Sequence, residues 1–370
     1  MVEWKKLGEV CKLERGVRVV KKNLKEEGLI PVYQNSLTPL GYYDKSNYPE
    51  HTCFVICAGA AGEVGFSNKA FWAADDCTCV VCPPLIHSTF IYYYLMENQY
   101  LLKTQVRKAS VPRLSKDVIG KLLLPIPSLS EQQRIVSILD TFTSSISNLK
   151  QQIEERRKQY EYERDLLLDL EGKEGVEMKK LGECVLFITD GDHQPPPKSS
   201  EGIPFVTISD IEKLSHTIDF SNTFFVPQEY YNSLKSDKKA KKGDVLYTVT
   251  GSFGIPVLIE DNREFCFQRH IALIRPNNTI ALSRYIYHWL CSNYAKKQGE
   301  EKASGGAQKT VSLNSLRSFH FYYPSLQAQS RIVSILDTFE QSIANLEEQL
   351  AMREKQYEYY REKLLRFEEA

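Results

Sequence analysis

The chain has 370 residues, enough for two or three hydrophobic cores, and its 42% hydrophobic and 25% charged side chains are those of an ordinary globular protein. Its 47 basic and 47 acidic side chains cancel, so no overall basic excess announces a polyanionic partner. The nine cysteines are odd in number and follow no secretory leader, which argues for reduced thiols and against a disulfide framework.

At the start of the chain, Trp4, Lys5 and Lys6 lead into no apolar stretch, so no signal peptide and a cytoplasmic location are expected. The segment PVYQNSLTPLGYYDKSNY from Pro31 reads as an extended polar loop. Cys53, Cys57, Cys77, Cys79 and Cys82 come close together, but the run CTCVVC has the pattern of a strand and lacks paired CxxC spacing, so buried thiols are expected and no metal site. Residues 77–102 form the most apolar window. His87, Glu97, Asn98 and the Pro83-Pro84 break make it too polar to span a bilayer, and a packed helix is expected. A basic segment, Val106-Arg107-Lys108, follows.

From Pro127 the chain reads PSLSEQQRIVSILDTF and continues without Gly or Pro to Gly172. Apolar residues keep a heptad, with Leu139, Ile146, Ile153, Tyr160 and Leu167 in one row and Ile135, Phe142, Leu149 and Leu170 in the other. Steps of three and four sustained this long predict a coiled-coil helix. Ser128 and Glu131 are spaced as a capping box.

The second half repeats this plan. RIVSILDTF recurs at residues 134–142 and 331–339, 197 positions apart, while EWKKLGE at residues 3–9 parallels EMKKLGE at residues 177–183, 174 positions apart. The chain is therefore a tandem duplication whose second copy gained 23 residues. IYYYLMEN at residues 91–98 resembles YIYHWLCSN at residues 285–293, and AGEVG at residues 61–65 resembles the turn at residues 251–254. Most of the gain is thus expected between residues 190 and 243, as variable loop containing DGDHQPPPK and the basic run KSDKKAKK. The second long helix repeats the heptad from Pro324, but Ala328 replaces the capping glutamate, so a weaker cap is expected.

Chain connectivity fixes the helix direction. A compact second domain must begin where the first helix ends and feed the second helix, which requires antiparallel pairing. Ile135 should then meet the region of Leu364, and Met1 should lie near Ala370. The expected fold class is α+β, with two similar globular domains (residues 1–126 and 173–323) separated by a long antiparallel two-helix coiled coil (residues 127–172 and 324–370) and related by a pseudo-two-fold axis. Each helix would be roughly 65 Å long.

The charge is unevenly spread: residues 1–125 carry net +4, residues 126–172 −3, residues 173–322 +2 and residues 323–370 −3. The domains are mildly basic and the helices acidic. No Walker A, G-x-G-x-x-G, H-E-x-x-H or G-x-S-x-G motif is present, nor anything resembling a methyl-donor site or a nuclease cluster. His193, beside Asp190 and Asp192, reads as a hydrogen-bonding loop residue. The chain reads as a binder with no reaction of its own. Candidate DNA contacts are polar loop residues able to read bases or hold phosphate: Gln34, Asn35, Ser36, Arg107 and Lys108 in the first copy, and His193, Lys198, Ser252, Arg269, Gln308 and Lys309 in the second. A coiled-coil scaffold binding proteins at both ends is the alternative.

The two-copy layout, the K-K-L-G-E lead-ins and the segments LPIPSLSEQQRIVSIL and FYYPSLQAQSRIVSIL resemble the DNA specificity subunit of type I restriction–modification systems, over nearly the whole chain. GDVLYTVTGSFG and DGDHQPPP are similar to that family's target-recognition domains. The resemblance implies that each domain reads one half of a split, asymmetric site in double-stranded DNA, with the helices setting the gap. It implies two methyltransferase subunits and restriction subunits as partners, and no membrane. It places S-adenosylmethionine, Mg and ATP on those partners and no cofactor, metal or catalytic residue on this chain. The second copy departs from the pattern by lacking the Glu-Gln pair at its helix start.

Overall fold

The structure is a computed structural model that describes residues 2–108, 110–193, 195–306 and 308–367. The chain divides into two units, residues 1–151 with 347–370, and residues 152–346. Met1 and Ala370, whose proximity the connectivity suggests, lie outside the described residues, as do Gln194 of the DGDHQPPP segment and Ala307.

In the first unit the lead-in strand Glu3–Lys6 pairs antiparallel with Leu123–Ile126, the strand that delivers the chain to the first long helix. The sheet beyond it is antiparallel, in the order Lys12–Arg15, Cys77–Val81, Thr52–Ile56, Val64–Ser67. Its central strand TCFVI is buried at all five positions, and the two-residue period of a strand explains why. Cys53 and Val55 face a core built with Phe90, Ile91 and Leu95 of the helix Ser88–Glu97. Phe54 and Ile56 face the opposite way, into a core with Tyr48, Phe71, Cys77 and Cys79. The sheet is a middle layer. Beside it lies a three-stranded sheet in which Ile30–Tyr33 pairs antiparallel with Gly41–Tyr43 and parallel with Trp72–Ala73. Residues 77–102 hold the strand that the run CTCVVC suggested and, beyond the Pro83-Pro84 break, the packed helix Ser88–Glu97 followed by the start of a second, Gln99–Thr104.

The second unit builds the same topology. Val185–Asp190, Ile271–Pro276, Val245–Thr248 and Pro256–Leu258 form its antiparallel sheet in the matching order. Val245 and Tyr247 face the core of helix Ser283–Cys291, while Leu246 faces away from it with Ile271 and Leu273. Ile203–Val206 again pairs antiparallel with one short strand, Phe224–Val226, and parallel with another, Cys266–Phe267. Val245, paired with Ile274, stands where Cys53 pairs with Val80, so the offset between copies has risen from 174 to 192 by that strand. The added chain is more than loop. It contains the small antiparallel pair Ile211–Glu212 and Thr217–Ile218 and the helix Gln228–Ser233.

The long helices span Leu129–Leu168 and Leu326–Leu365. In the first unit Ile135 and Leu139 share a core with Leu364 and Leu365, Phe142 stacks 5.4 Å from Tyr360, and Lys150 reaches Glu354 at 2.9 Å. In the second, Arg156 lies over Phe339, Tyr160 donates to Glu340 at 3.0 Å, and Leu168 packs with Ile332 and Leu336. Within each unit, numbers rise along one helix as they fall along the other, so the pairing is antiparallel. The two starts carry the same cap: Ser128 Oγ accepts from Glu131 N and Ser325 Oγ from Ala328 N, both at 3.3 Å. The expected weakening is absent at this bond because the Glu131 carboxylate takes a fork from Arg134, at 2.7 and 2.8 Å.

Candidate nucleic-acid interface

Each domain meets its long helix through one buried amide. Gln132 Nε2 donates to Pro127 O at 2.9 Å and Leu85 O at 3.3 Å, and its Oε1 accepts from His87 N at 2.8 Å. Gln329 does the same to Pro324 O at 2.9 Å, Ile280 O at 3.1 Å and Leu282 N at 2.9 Å. Both side chains are fully buried. The second copy therefore keeps the glutamine of the Glu-Gln pair, contrary to the expectation that both were lost; only the glutamate differs. A second tie joins the helix below. Tyr93 donates to Asp140 at 2.6 Å in the first unit, and His288 meets Asp337 at 2.8 Å in the second.

His288, Asp337 and Glu340 are also the one group among the described residues whose atoms could approach a common ion. Their bonds point elsewhere. Asp337 binds His288 through Nε2 and Glu340 lies on the Nδ1 side, so one ion cannot use both faces of the ring. Arg284 already holds Asp337 at 2.7 Å and Glu340 at 2.6 Å. The group is an ion-pair network between a domain helix and a long helix. The nine cysteines are free thiols, most of them buried.

The candidate contacts lie on loops of each domain. In the first unit Ala60 N donates to Asn35 O at 2.9 Å and Gly59 N to Pro112 O at 3.2 Å, while Arg107 and Arg113 bridge each other. Gln34 is turned to Asp76 at 3.3 Å and Ser36 closes a turn onto Thr38 O at 3.1 Å, so these two shape the loop; Asn35 is exposed. Arg107 and Lys108 are exposed on the neighbouring loop. The cluster thus joins residues 34–38, 57–62, 107–108 and 110–113.

In the second unit Arg269 N donates to Asp192 O at 3.1 Å, Val249 N to His270 O at 2.9 Å and Gly251 N to Lys309 O at 3.0 Å. This chain of backbone bonds brings His193, Ser252, Arg269, Gln308 and Lys309 together, all exposed. His193 accepts or donates to Asp190 at 2.8 Å, and Tyr230 donates to Asp192. Burial, then the neighbouring charges of Arg269 and His193, hold His270 below its ordinary pKa. Lys198 stands apart, 4.9 Å over the Phe224 ring. Lys238 of the basic run is committed to Gly191 O at 2.8 Å and anchors the loop.

The duplication is most literal at the glycines. Gly59 and Gly251 have φ of 81° and 70°, the left-handed region that a side chain resists, and each donates its N–H to the returning loop. Gly16 and Gly191 leave no room for a Cβ, which would fall 2.2 Å from Ala74 O and 2.0 Å from Phe267 O. Those matches also correct the pairing of the basic segments. Arg107 bridges Arg113 as Ser304 bridges Thr310, so Arg107-Lys108 and Gln308-Lys309 occupy opposite arms of the same loop and are not counterparts. The equivalence of Gly16 and Gly191 exposes a region that residue-by-residue reading passed over: the first copy's counterpart of the His193 loop carries exposed Arg18, Lys21, Lys22 and Lys25. The signal for it was the glycine that follows the first sheet strand in both copies.

These features define a class: a protein that builds one loop-bearing α+β domain twice and fastens each to a long helix. Residues 1–156 and 173–352 match the type I restriction modification DNA specificity domain. The chain is 30% identical over 387 aligned positions to a putative type I restriction enzyme specificity subunit of Haemophilus influenzae, with 99% of this chain and 96% of that one covered. It is 28% identical to the EcoR124I/EcoR124II specificity subunit of Escherichia coli, covering 99% and 94%. Its fold is similar to the type I restriction–modification S subunit from M. genitalium, with TM-score 0.68, 18% identity, and 100% and 97% coverage. A chain from a structural study of complex assembly and conformational transition in the type I system gives TM-score 0.60 at 18% identity, covering 99% and 97%. The chain belongs to the type I restriction–modification DNA specificity family. Among the described residues no helix is long and apolar enough to cross a membrane.

Proposed function

We propose that this chain is the non-catalytic DNA-reading subunit of a cytoplasmic type I restriction–modification assembly. Each loop cluster reads one half of a split, asymmetric duplex site, and the paired long helices set the unread interval. Two methyltransferase subunits and the restriction subunits supply the chemistry and hold S-adenosylmethionine, Mg and ATP. The observation that carries this reading is that one scaffold presents the same loops twice with different side chains: exposed Arg18, Lys21, Lys22 and Lys25 where the second copy has the His193 loop, and Arg107 and Pro112 where it has Ser304 and Lys309. Identical scaffolds with unequal loops suit unequal half-sites. The Arg18 to Lys25 stretch adds cations suited to phosphate, which fixes position and carries no sequence information.

The test is methylome sequencing of cells carrying this chain with its methyltransferase. One split motif with modified adenines is expected. Exchanging residues 34–38 and 107–113 should alter one half of the motif and leave the other unchanged. Removing one heptad from each long helix shortens the pair by roughly 10 Å, about three base pairs, and should shift or abolish the preferred gap. Association with partners and no sequence preference on randomised DNA would instead identify a protein-interaction scaffold.

A further inference from the structure

One pair of side chains inside the first domain is not repeated in the second copy. Lys12 pairs with Val81 where the two sheet strands meet, so one step further Cys11 stands opposite Cys82. At the other end of the same ladder Gly16 N donates to Cys77 O at 3.0 Å. Hydrogen-bonded pairs in an antiparallel ladder recur every second residue, which puts Cys11 and Cys82 at a non-hydrogen-bonded position, where the strands and side chains come closest. The Cα separation of such a pair, about 4.5 Å, lies within the range a disulfide spans. The two sulfurs are 3.7 Å apart, with the Cys11 thiol donating to Cys82. Cys11 is buried, at 3% exposure, while Cys82 is only half-buried and sits between exposed Val81 and Pro83. In the second copy the matching ladder position is held by Val185 paired with Pro276, so the thiol pair has no counterpart there.

We propose that Cys11 and Cys82 form an oxidisable dithiol that hydroperoxides convert to a cross-strand disulfide. Cys82 is the attacking group because it is the more accessible of the two. The hydrogen bond from Cys11 also lowers the Cys82 thiol pKa, while the same contact and burial push Cys11 up. The Cys82 thiolate displaces hydroxide from hydrogen peroxide and becomes a sulfenic acid. The Cys11 sulfur then attacks that sulfur, forming the S–S bond, and its proton leaves with the hydroxyl as water. Peroxide is reduced, two thiols are oxidised, and Cys11 never needs contact with solvent. The new bond would close a loop of 71 residues between the lead-in segment and the end of the sheet, which should raise the Tm of this domain.

The test treats the full-length chain with increasing hydrogen peroxide, alkylates remaining thiols in denaturant and maps peptides without reduction. A linked Cys11–Cys82 peptide should accumulate about tenfold faster than oxidation of the other seven cysteines, as accessibility and thiolate fraction dictate. Dithiothreitol should restore both thiols. In the Cys11→Ala variant, Cys82 should instead be captured by dimedone as sulfenic acid. If Cys11 and Cys82 both stay alkylatable while other cysteines oxidise, or if Cys82 proceeds to sulfinic acid with Cys11 still free in the parent chain, the proposal is overturned.

Discussion

Replacing Gln329 with Ala would remove the amide that fastens the second domain to its long helix. Three backbone groups lose their partner: Pro324 O, Ile280 O and Leu282 N. Pro324 is buried, so its carbonyl bears the full desolvation cost of an unmade bond, about 2 kcal/mol. Ile280 and Leu282 are half-buried and recover part of theirs from water, leaving roughly 1 kcal/mol together. The vacated volume adds a comparable penalty, and the total is about 3–5 kcal/mol. Gln132→Ala should cost slightly less, because Leu85 is exposed. Gln329→Glu separates bonding from volume: the carboxylate still accepts from Leu282 N but cannot donate to two carbonyls. Its loss should therefore approach that of alanine. Urea denaturation of the full chain, followed by far-ultraviolet circular dichroism, measures these differences. A loss under about 1 kcal/mol for Gln329→Ala, or a Gln329→Glu variant as stable as the parent, would refute the assignment of this amide as the joint between domain and helix.

Arg107→Ala and Lys108→Ala should each weaken DNA binding by the reconstituted assembly and reduce the slope of log affinity against log salt by about one, since each would release one counterion equivalent. An unchanged slope in an anisotropy titration would remove them from the phosphate-contacting set. Burial holds the pKa of His216 below its ordinary value, so the folded state prefers the neutral ring. The unfolded chain binds its proton first as pH falls below about 6.5, and stability from this residue is present above that value and lost beneath it. His216→Asn suits the left-handed backbone there, φ 54°, and should flatten the fall in Tm between about pH 7 and pH 5.5; an identical fall in both proteins would contradict this.

The scaffold was legible because repetition does what an alignment would otherwise do. RIVSILDTF appears twice, and the steps between Ile135, Leu139, Phe142 and Ile146 follow heptad spacing, so the long helices and their direction followed from period and connectivity alone. Antiparallel pairing is then visible in local contacts such as Phe142 with Tyr360 and Tyr160 with Glu340. What the sequence concealed were features without a period. Gln132 and Gln329 look like any polar residue near a helix start; only the two loops folding back onto them make their amides the joint. The inserted residues read as loop because they are polar, yet Ile211 and Ile218 pair across a short ladder.

The candidate contacts divide along the same line. Composition can nominate Gln34 and Lys198, but a side chain that is spent within the protein has less to offer a ligand. Gln34 is turned to Asp76, and Lys198 sits over Phe224. Conversely, Arg18 and Lys21 attracted no attention in a segment with no obvious motif, and they gain meaning only because Gly16 and Gly191 occupy the same crowded site in the two copies. A duplicated scaffold therefore offers its own internal control. Positions that the two copies share, such as the paired glycines and the buried glutamines, hold the domain together. Positions that differ on the same loops, such as Arg107 against Ser304 or Pro112 against Lys309, can differ in side chain because the contacts they share in the two copies run through the backbone. Two halves of one chain can then read different sequences without either half risking its fold.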